Sequence, residues 1–271
     1  MTAEITEPTE AEENPAEDED LVLIRLLDAI APVGEQSRFT KVLLYGDLGV
    51  GKTAWACDAP NVLLVAIENG AKTLLNHEAT NKAHVMEYRS VKQVEALAAK
   101  LAEGKLEQFD TIVLDTFSEL QRLVLDKHME EQHRRDPDKS LYTPQGKDYQ
   151  NNGEHMRRIA AAFRDVPRNV IFTSHEKEDK NEETGAVFIR PDLAPKVAKT
   201  LGGYVDVVGR MTSSMGDDSK PETFESEVRV RPSGRIMAKT RIMSLPTILK
   251  NSTFMTIHEA NLAQIERANN A

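Results

Sequence analysis

The sequence predicts an α/β fold in which a mostly parallel, twisted sheet carries helices on both faces and an antiparallel hairpin near the C-terminus. Three observations predict this fold. A short apolar run leads into a glycine-rich loop at residues 46–53, further apolar runs alternate with helical patterns, and residues 225–241 read as two strands joined by a turn. Continuous apolar strands separated by helices are typical of parallel sheets whose two faces are both covered.

The first twenty residues are strongly acidic. They hold nine Asp and Glu residues and no Lys or Arg, and the rest of the chain balances 35 acidic against 34 basic residues. Because residues 1–20 contain few apolar side chains, we expect a disordered tail. Such a tail is either simply solvated or an electrostatic competitor for a site that binds nucleic acid. The acidity of the whole chain therefore does not exclude a nucleic-acid partner.

The segment that follows the tail is apolar on nearly all sides. Residues 21–36 begin with LVLIRLLDAI, which predicts a short buried helix. This helix packs either on its own domain or on a neighbouring subunit, which makes it a candidate oligomerisation segment. Residues 37–250 are predicted to form the main domain, and residues 251–271 a C-terminal helix.

Cysteine content and hydropathy limit the environments in which the protein is expected to occur. The one cysteine, Cys57, excludes an internal disulfide and is expected to be a small buried apolar residue. No run approaches the roughly 18 apolar residues of a membrane span, and the N-terminus is acidic where a signal peptide would be basic. We therefore expect a cytoplasmic protein without a membrane partner.

Residues 41–53 read KVLLYGDLGVGKT, an apolar strand followed by the P-loop pattern G-x-x-x-x-G-K-[ST]. Glycine lets backbone N–H groups turn toward an anion, and the helix that follows adds its positive N-terminal end. Lys52 is expected to act as a point charge on the β- and γ-phosphates, and the Thr53 hydroxyl to bind Mg²⁺. The pattern predicts a nucleoside triphosphate site. Its predicted nucleotide-binding residues are Gly46, Asp47, Leu48, Gly49, Val50, Gly51, Lys52, Thr53 and Ala54.

Beyond the P-loop, apolar runs predict five strands, at residues 61–68, 83–88, 111–115, 169–175 and 204–211. Two amphipathic helices are predicted between them. One opens at the capping pair Ser90 and Gln93, and the other carries Met156, Ile159, Ala160 and Phe163 on one face. Residues 225–241 predict an antiparallel hairpin around a Pro-Ser-Gly turn.

One segment does not fit this alternation of strands and helices. Residues 127–154 are polar and charged, with turn residues throughout. We therefore expect a long excursion or mobile loop, because long loops in compact domains are usually functional or disordered.

Acidic residues end two of the predicted strands. Ligands of an open parallel sheet bind beyond the carboxyl ends of its strands, so these positions are candidate site residues. Asp115 ends strand 111–115 and is predicted to hold Mg²⁺ together with Thr53. Glu68 ends strand 61–68 and is predicted to orient or deprotonate the attacking water. Glu119, about one helical turn beyond Asp115, is the alternative base.

Polar residues also end the strand at 169–175. Ser174 and His175 are predicted to sense the γ-phosphate from this position. Alternatively, His175 is a structural histidine at a strand end, with all its hydrogen-bond partners in the same chain.

The order of these motifs resembles the RecA-like ATPase core. The P-loop, Glu68, the pair Asp115-Thr116, His175 and a late hairpin carrying Lys239 and Arg241 follow in that order. More narrowly, the order GDLGVGKT, AIENG, VLDTFSEL, IFTSHEK, RPDLAPKV and KTRIMSLP is similar to phage-encoded, core-only RecA relatives, which include single-strand annealing proteins. The resemblance covers residues 38–250.

The resemblance implies a DNA-stimulated ATPase that uses ATP and Mg²⁺, binds single-stranded DNA and supports recombination, annealing or replication of phage DNA in the host cytoplasm. It implies a ring or filament of identical subunits with the ATP site at the subunit interface. Lys239 and Arg241 of the neighbouring subunit would complete that site. A single-strand-binding protein is a candidate further partner.

The resemblance also implies that the loops after the third and fourth core strands contact DNA. Basic and aromatic residues that suit backbone tracking and base stacking occur in both loops. The candidate DNA-binding residues are Arg134, Arg135, Lys147, Tyr149, Lys177 and Arg190. Many acids accompany them, so two solvated loops are the alternative.

Two other functions stay open at the level of sequence. A hexameric RecA-type helicase would use the same core as a motor and would unwind a forked duplex. A metal-dependent nuclease would need a cluster of metal ligands, for which Asp110, Asp115, Glu119 and His175 are the candidates.

Overall fold

The computed structural model describes residues 38–76, 82–180, 182, 184–215 and 224–270. Packing divides the chain into two units, residues 1–37 and residues 38–271. The predicted acidic tail and the predicted helix of residues 21–36 belong to the first unit and lie outside the described residues.

The second unit is built around one sheet. Its described strands are β1 Lys41–Gly46, β2 Val62–Ala66, β3 His84–Glu87, β4 Thr111–Asp115, β5 Asn169–Lys180, β6 Val187–Pro191, β7 Val207–Met215, β8 Phe224–Arg229, β9 Lys239–Thr240 and β10 Ile248–Lys250. Strands β1 and β4 are buried along their whole length, as expected for continuous apolar runs.

The strand order is β10-β8-β7-β1-β5-β4-β2-β3, with β6 paired to β5 and β9 paired to β7. The six strands from β7 to β3 are parallel. Strand β5 therefore lies between β1, which leads into the P-loop, and β4, which ends in Asp115. The predicted α/β fold with a mostly parallel sheet is confirmed.

Helices cover both faces of the sheet. The described helices are α1 Lys52–Cys57, α2 Val91–Ala102, α3 Phe117–Arg135, α4 Gly146–Asp165, α5 Pro195–Tyr204 and α6 Phe254–Asn269, with a 3₁₀ helix at Asn69–Asn76. Helices α2 to α5 pack on one face around Phe117 and Phe163. Helices α1 and α6 pack on the other face, where the rings of Trp55 and Phe254 meet edge to face at 6.2 Å.

The antiparallel C-terminal part is present, with a pairing that differs from the predicted one. Strand β8 pairs with β7 and with β10, whereas the two-residue strand β9 pairs with the start of β7. The antiparallel hairpin is thus formed by β7 and β8. Within residues 225–241, only an isolated bridge joins Ser233 to Ile236.

The prediction of a long loop at residues 127–154 was wrong. Helix α3 continues to Arg135 and α4 begins at Gly146, so only residues 136–145 are irregular. Residues 127–135 are mostly good helix formers, and polarity alone does not prevent a helix that is exposed on most sides. Pro137 disfavours helical backbone at Asp136, where α3 ends. A capping box between Gln145 and Asp148 starts α4.

Two smaller observations complete the fold. Cys57 is buried in α1, as predicted, and burial raises the pKa of its thiol to about 12. None of the described helices has both the length and the apolar character that a membrane crossing requires.

Candidate active site

The candidate site lies at the carboxyl edge of the parallel strands, where β1 passes through the P-loop into α1. Gly46 ends β1, and a Cβ atom there would stand 2.2 Å from the carbonyl oxygen of Met211, so only glycine fits. Gly51 precedes α1 with φ of 95°, a left-handed conformation that favours glycine. Both glycines of the P-loop pattern are therefore required by the local backbone.

Lys52 folds back over the P-loop. Its Nζ atom donates to the carbonyl oxygens of Gly46 at 3.0 Å and Asp47 at 2.7 Å. Burial lowers the pKa of Lys52, while the nearby carboxylates of Asp115 and Glu68 oppose that shift. These contacts hold the ammonium group at the mouth of the loop, where a phosphate would need a positive charge.

Asp115, at the end of β4, is buried and bonded to two threonines. Thr53 donates its hydroxyl to one carboxylate oxygen at 2.8 Å, and the hydroxyl of Thr173 on β5 contacts the other oxygen. Burial raises the pKa of Asp115, and the two hydrogen bonds act in the opposite direction. The structure thus brings together the two residues predicted to hold Mg²⁺.

Glu68, two residues beyond the end of β2, shares one carboxylate oxygen between two partners. Its Oε1 atom lies 2.6 Å from the hydroxyl of Thr116 and 2.9 Å from Nε2 of His175. The hydrogen bond from His175 is the main cause that lowers the pKa of Glu68, and the same bond raises the pKa of His175. A carboxylate can only accept hydrogen bonds, so Nε2 carries the proton in this pair.

A cleft of about 170 Å³ joins these groups, with walls formed by the P-loop, Glu68, Asp115, Thr116 and His175. The donor set fits a nucleoside triphosphate with Mg²⁺. Backbone N–H groups and Lys52 suit phosphate oxygens, and the adjacent oxygens of Thr53 and Asp115 are the hard ligands that Mg²⁺ prefers. Among the residues that the structure describes, no cluster of three or more His, Cys, Asp or Glu side chains could hold a metal by itself.

Glu119, the alternative base, has a different environment. Its carboxylate is paired with Arg122 on the exposed side of α3, with Nε to Oε2 at 2.9 Å. Its side chain is not among those that form the walls of the cleft. Glu68 is therefore the better placed of the two candidate bases.

Lys239 and Arg241 lie at the opposite, amino edge of the sheet, because β9 pairs with the first residues of β7. Lys239 Nζ donates to the carbonyl oxygens of Gly202 and Val205 at 2.7 Å each. Arg241 donates to the carbonyl of Gly203 at 2.7 Å and pairs with Asp206 at 3.2 Å. Within one chain, both cations cap the C-terminus of α5 and are remote from the P-loop.

The α3–α4 helix pair carries four of the candidate DNA-binding residues. Helix α3 starts beside the carboxyl end of β4, and α4 ends beside the amino end of β5, so the turn between these packed helices projects beyond the carboxyl edge. At 20 residues, α4 is about 30 Å long. Arg134, Arg135, Lys147 and Tyr149 are exposed near this turn.

A second projection from the same edge carries the other two candidates. Strand β5 continues past His175 to Lys180 and pairs with β6 in an antiparallel hairpin. Lys177 belongs to β5. Arg190, on β6, is bound within the hairpin because its guanidinium pairs with Asp179 and donates to the carbonyl of Leu193. The structure therefore leaves Arg190 less available for DNA than the sequence predicts.

Three hydroxyl residues of the site were missed by the sequence analysis. Thr116 and Thr173 contact the predicted acids directly, and the Ser118 hydroxyl lies 3.1 Å from that of Thr116. Thr116 follows Asp115 directly, Ser118 lies two residues further on, and Thr173 lies in a buried strand two residues before His175. Their positions next to predicted site residues were the available signal.

The chain matches one protein-family model and aligns with solved structures of other proteins. A family model described as an AAA domain matches residues 38–242. The crystal structure of the flagellar accessory protein FlaH from Methanocaldococcus jannaschii aligns with 12% identity and a TM-score of 0.40, over 84% of this chain and 89% of that chain. The RadB recombinase aligns with 13% identity and a TM-score of 0.43, over 84% of this chain and 91% of that chain. No match was found among curated proteins.

Proposed function

The chain belongs to this AAA domain family, and on that premise we propose that it is a RecA-like P-loop ATPase that binds single-stranded DNA and uses ATP with Mg²⁺ to support phage DNA recombination, annealing or replication. The DNA part of the proposal rests on the position of two exposed projections at the same edge of the sheet. The α3–α4 helix pair and the β5–β6 hairpin both leave the edge of the sheet that carries the P-loop.

In the proposed reaction, Lys52 stabilises the negative charge of the γ-phosphate, and Glu68 orients the attacking water and accepts its proton. Thr53 and Asp115 would hold Mg²⁺, which supplies positive charge to the phosphate oxygens when it is bound. His175 keeps the Glu68 carboxylate in place through the bond at 2.9 Å. Its position beside the cleft also suits a sensor of the γ-phosphate.

The two projections connect the cleft to candidate DNA contacts through continuous backbone. Helix α3 starts one residue after Thr116 and ends in Arg134 and Arg135, while β5 passes through His175 and then Lys177. DNA bound at both projections would therefore contact two elements that also place site residues, Thr116 at the start of α3 and His175 on β5. This arrangement supports DNA-stimulated hydrolysis.

Self-assembly is part of the proposal. The P-loop residue Leu48 exposes 75% of its surface, and Leu75 in the 3₁₀ helix after Glu68 exposes 80%. Leu48 also lines the cleft, so a partner that covered its exposed side chain would lie against the nucleotide site. We propose that a second copy of the chain covers this edge in a ring or filament.

The DNA proposal is tested by the fluorescence anisotropy of a labelled single-stranded oligonucleotide over a series of salt concentrations. The double variant Arg134→Ala/Arg135→Ala should bind more weakly. Removing two phosphate contacts should make the slope of log K against log salt shallower by about 1.4, because single strands contribute about 0.7 per contact.

A matched control is the double variant Arg157→Ala/Arg158→Ala, which removes two arginines from α4 that are paired with Glu154. It should keep the parent affinity and salt slope. Equal losses in both variants would contradict a contact at the helix turn. Unwinding of a forked duplex by the parent protein would favour the helicase alternative.

A further inference from the structure

We propose that Thr116 and Ser118 are positioning residues that orient the Glu68 carboxylate through a directional chain of hydroxyl hydrogen bonds. The inference rests on the proposed role of Glu68 as the base. The chain of hydrogen bonds begins at the backbone of β5, passes through the hydroxyls of Ser118 and Thr116 and ends at Oε1 of Glu68.

The direction of each proton in this chain follows from its fixed ends. The backbone N–H of His175 donates to Ser118 Oγ at 3.2 Å, and the backbone N–H of Glu119 donates to Thr116 Oγ1 at 3.2 Å. A backbone N–H can only donate, so both hydroxyl oxygens accept at these contacts. At the other end, the ionised Glu68 carboxylate can only accept.

The hydrogen-bonding capacity of Thr116 is therefore fully used. A hydroxyl has one proton and two acceptor positions. Its proton goes to Glu68 at 2.6 Å, and its acceptor positions take the Glu119 N–H and the Ser118 hydroxyl at 3.1 Å. An O–H···O⁻ bond of this length is of the strong, charge-assisted kind. The Thr116 hydroxyl has one orientation that satisfies all three contacts.

This fixed hydroxyl determines which oxygen of Glu68 faces the reaction. Thr116 and the His175 ring both bond Oε1. With Oε1 held by two donors from two different elements, the carboxylate cannot rotate freely, and Oε2 is the oxygen that remains for water. Thr116 thereby acts on the rate through Glu68.

The test compares Thr116→Val, which keeps the shape but removes the hydroxyl, with Thr116→Ser, which keeps the hydroxyl. Steady-state ATP hydrolysis, binding of a fluorescent ATP analogue and thermal unfolding are measured for each. Thr116→Val should lower kcat about 10²-fold, because a catalytic group that is misplaced by about 1 Å costs a factor of this size. KM and the affinity for the ATP analogue should change little. Thr116→Ser should stay near the parent rate.

A double variant separates positioning from general destabilisation. In a Glu68→Gln background, Thr116→Val should have little further effect on kcat. Both changes disable the same function, which is the activation of water by a correctly oriented Glu68 carboxylate. If Thr116→Val does not fold, Ser118→Ala carries the test, since it leaves the Thr116 cap of α3 in place. It should lower kcat in the same direction by a smaller factor.

Three outcomes would overturn the inference while Glu68 keeps its role as the base. The first is an unchanged kcat in folded Thr116→Val, or in Ser118→Ala where it replaces that variant. The second is a Thr116→Ser variant as slow as Thr116→Val, and the third is an equal loss from Thr116→Val with or without the Glu68 carboxylate. Glu68→Gln at the parent rate would overturn the base assignment together with this inference. An impaired Glu68→Gln beside an unimpaired Thr116→Val would overturn this inference alone.

Discussion

At the carboxyl edge of the sheet, charged and polar side chains converge on a cleft, whereas at the amino edge comparable cations are bound to carbonyls of their own fold. Lys52 and Lys41 illustrate the difference. Both are buried, both donate to backbone carbonyls, and burial lowers the pKa of both, to about 8 for Lys41. Local contacts alone therefore do not separate a catalytic lysine from a structural one.

The surroundings of the two lysines separate them. Lys41 bonds the carbonyl of Val166 in the connection between α4 and β5, so it ties a helix end to the sheet. Lys52 shares a cleft with Glu68 and Asp115, whose carboxylates end two neighbouring strands. The comparison teaches that convergence of several titratable groups on one cleft, and not burial of one charge, marks the candidate site.

The largest effect is expected for Lys52→Ala, with Lys41→Ala as the matched control at the other edge. Lys52→Ala should lose measurable ATP hydrolysis while it keeps its fold, because a point charge on the transferred phosphate is removed. Lys41→Ala should instead lower the thermal unfolding temperature and keep hydrolysis per folded molecule. Hydrolysis assays paired with circular dichroism would contradict the distinction if both variants lost activity without unfolding.

Arg241→Ala tests whether the amino edge serves the site of a neighbouring copy. If Arg241 leaves its cap on α5 and acts in trans, the variant should bind ATP yet hydrolyse it about 10³-fold more slowly. Mixing it with Lys52→Ala should restore activity, because some interfaces then pair an intact P-loop with an intact Arg241.

If Arg241→Ala hydrolyses ATP at the parent rate, Arg241 acts only within its own chain. Its bonds to Gly203 and Asp206 would then be purely structural, and Arg241→Ala would be less stable with an unchanged rate. Mixtures that co-assemble by sedimentation but recover no activity would also exclude action in trans.

Glu68→Gln should bind ATP normally and hydrolyse it about 10²-fold more slowly, the lower end of the range for a general base. Glu119→Gln is the matched control, because Glu119 pairs with Arg122 outside the cleft. It should keep nearly the parent rate in a steady-state assay. A fast Glu68→Gln with a slow Glu119→Gln would exchange the two roles.

The smallest effect is expected from deletion of residues 1–20. If this acidic segment competes with phosphates for the basic projections of the carboxyl edge, its loss should tighten single-strand binding a few-fold at about 50 mM salt and less at higher salt. Anisotropy titrations at both salt concentrations measure the difference. Equal affinities of the full-length and shortened proteins at low salt would mean that the tail is only solvated.

The main groups of the candidate site could be predicted from the sequence because the ends of strands are recognisable from the apolar pattern. Asp115, Glu68 and His175 each follow an apolar run, and the carboxyl ends of parallel strands meet at one edge. The hydroxyl chain from Ser118 through Thr116 to Glu68 could not be predicted, since hydrogen-bond partners on separate strands leave no periodic signal. Thr116 and Glu68 are 48 positions apart and meet only through the pairing of β2 with β4.

The helix pair α3–α4 shows where polarity misleads. Residues 127–154 contain turn formers and charges, so they read as a loop, yet most of them are helical. The outer turns of these helices bury little apolar surface. Bonds between the helices, such as that between His128 and Asp148 at 3.1 Å, and the capping box at Gln145 stabilise them instead.

A mostly parallel α/β sheet with a P-loop could be predicted from the sequence alone, because glycine placement, apolar runs and strand-ending acids are local properties of the chain. The contacts that these acids make depend on the tertiary structure. Which oxygen of Glu68 is held, that Asp115 is bonded by Thr53 and Thr173, and that Lys239 caps α5 all depend on side chains that are far apart in sequence. Hydrogen bonds form over about 3 Å, so only the folded backbone brings such partners together.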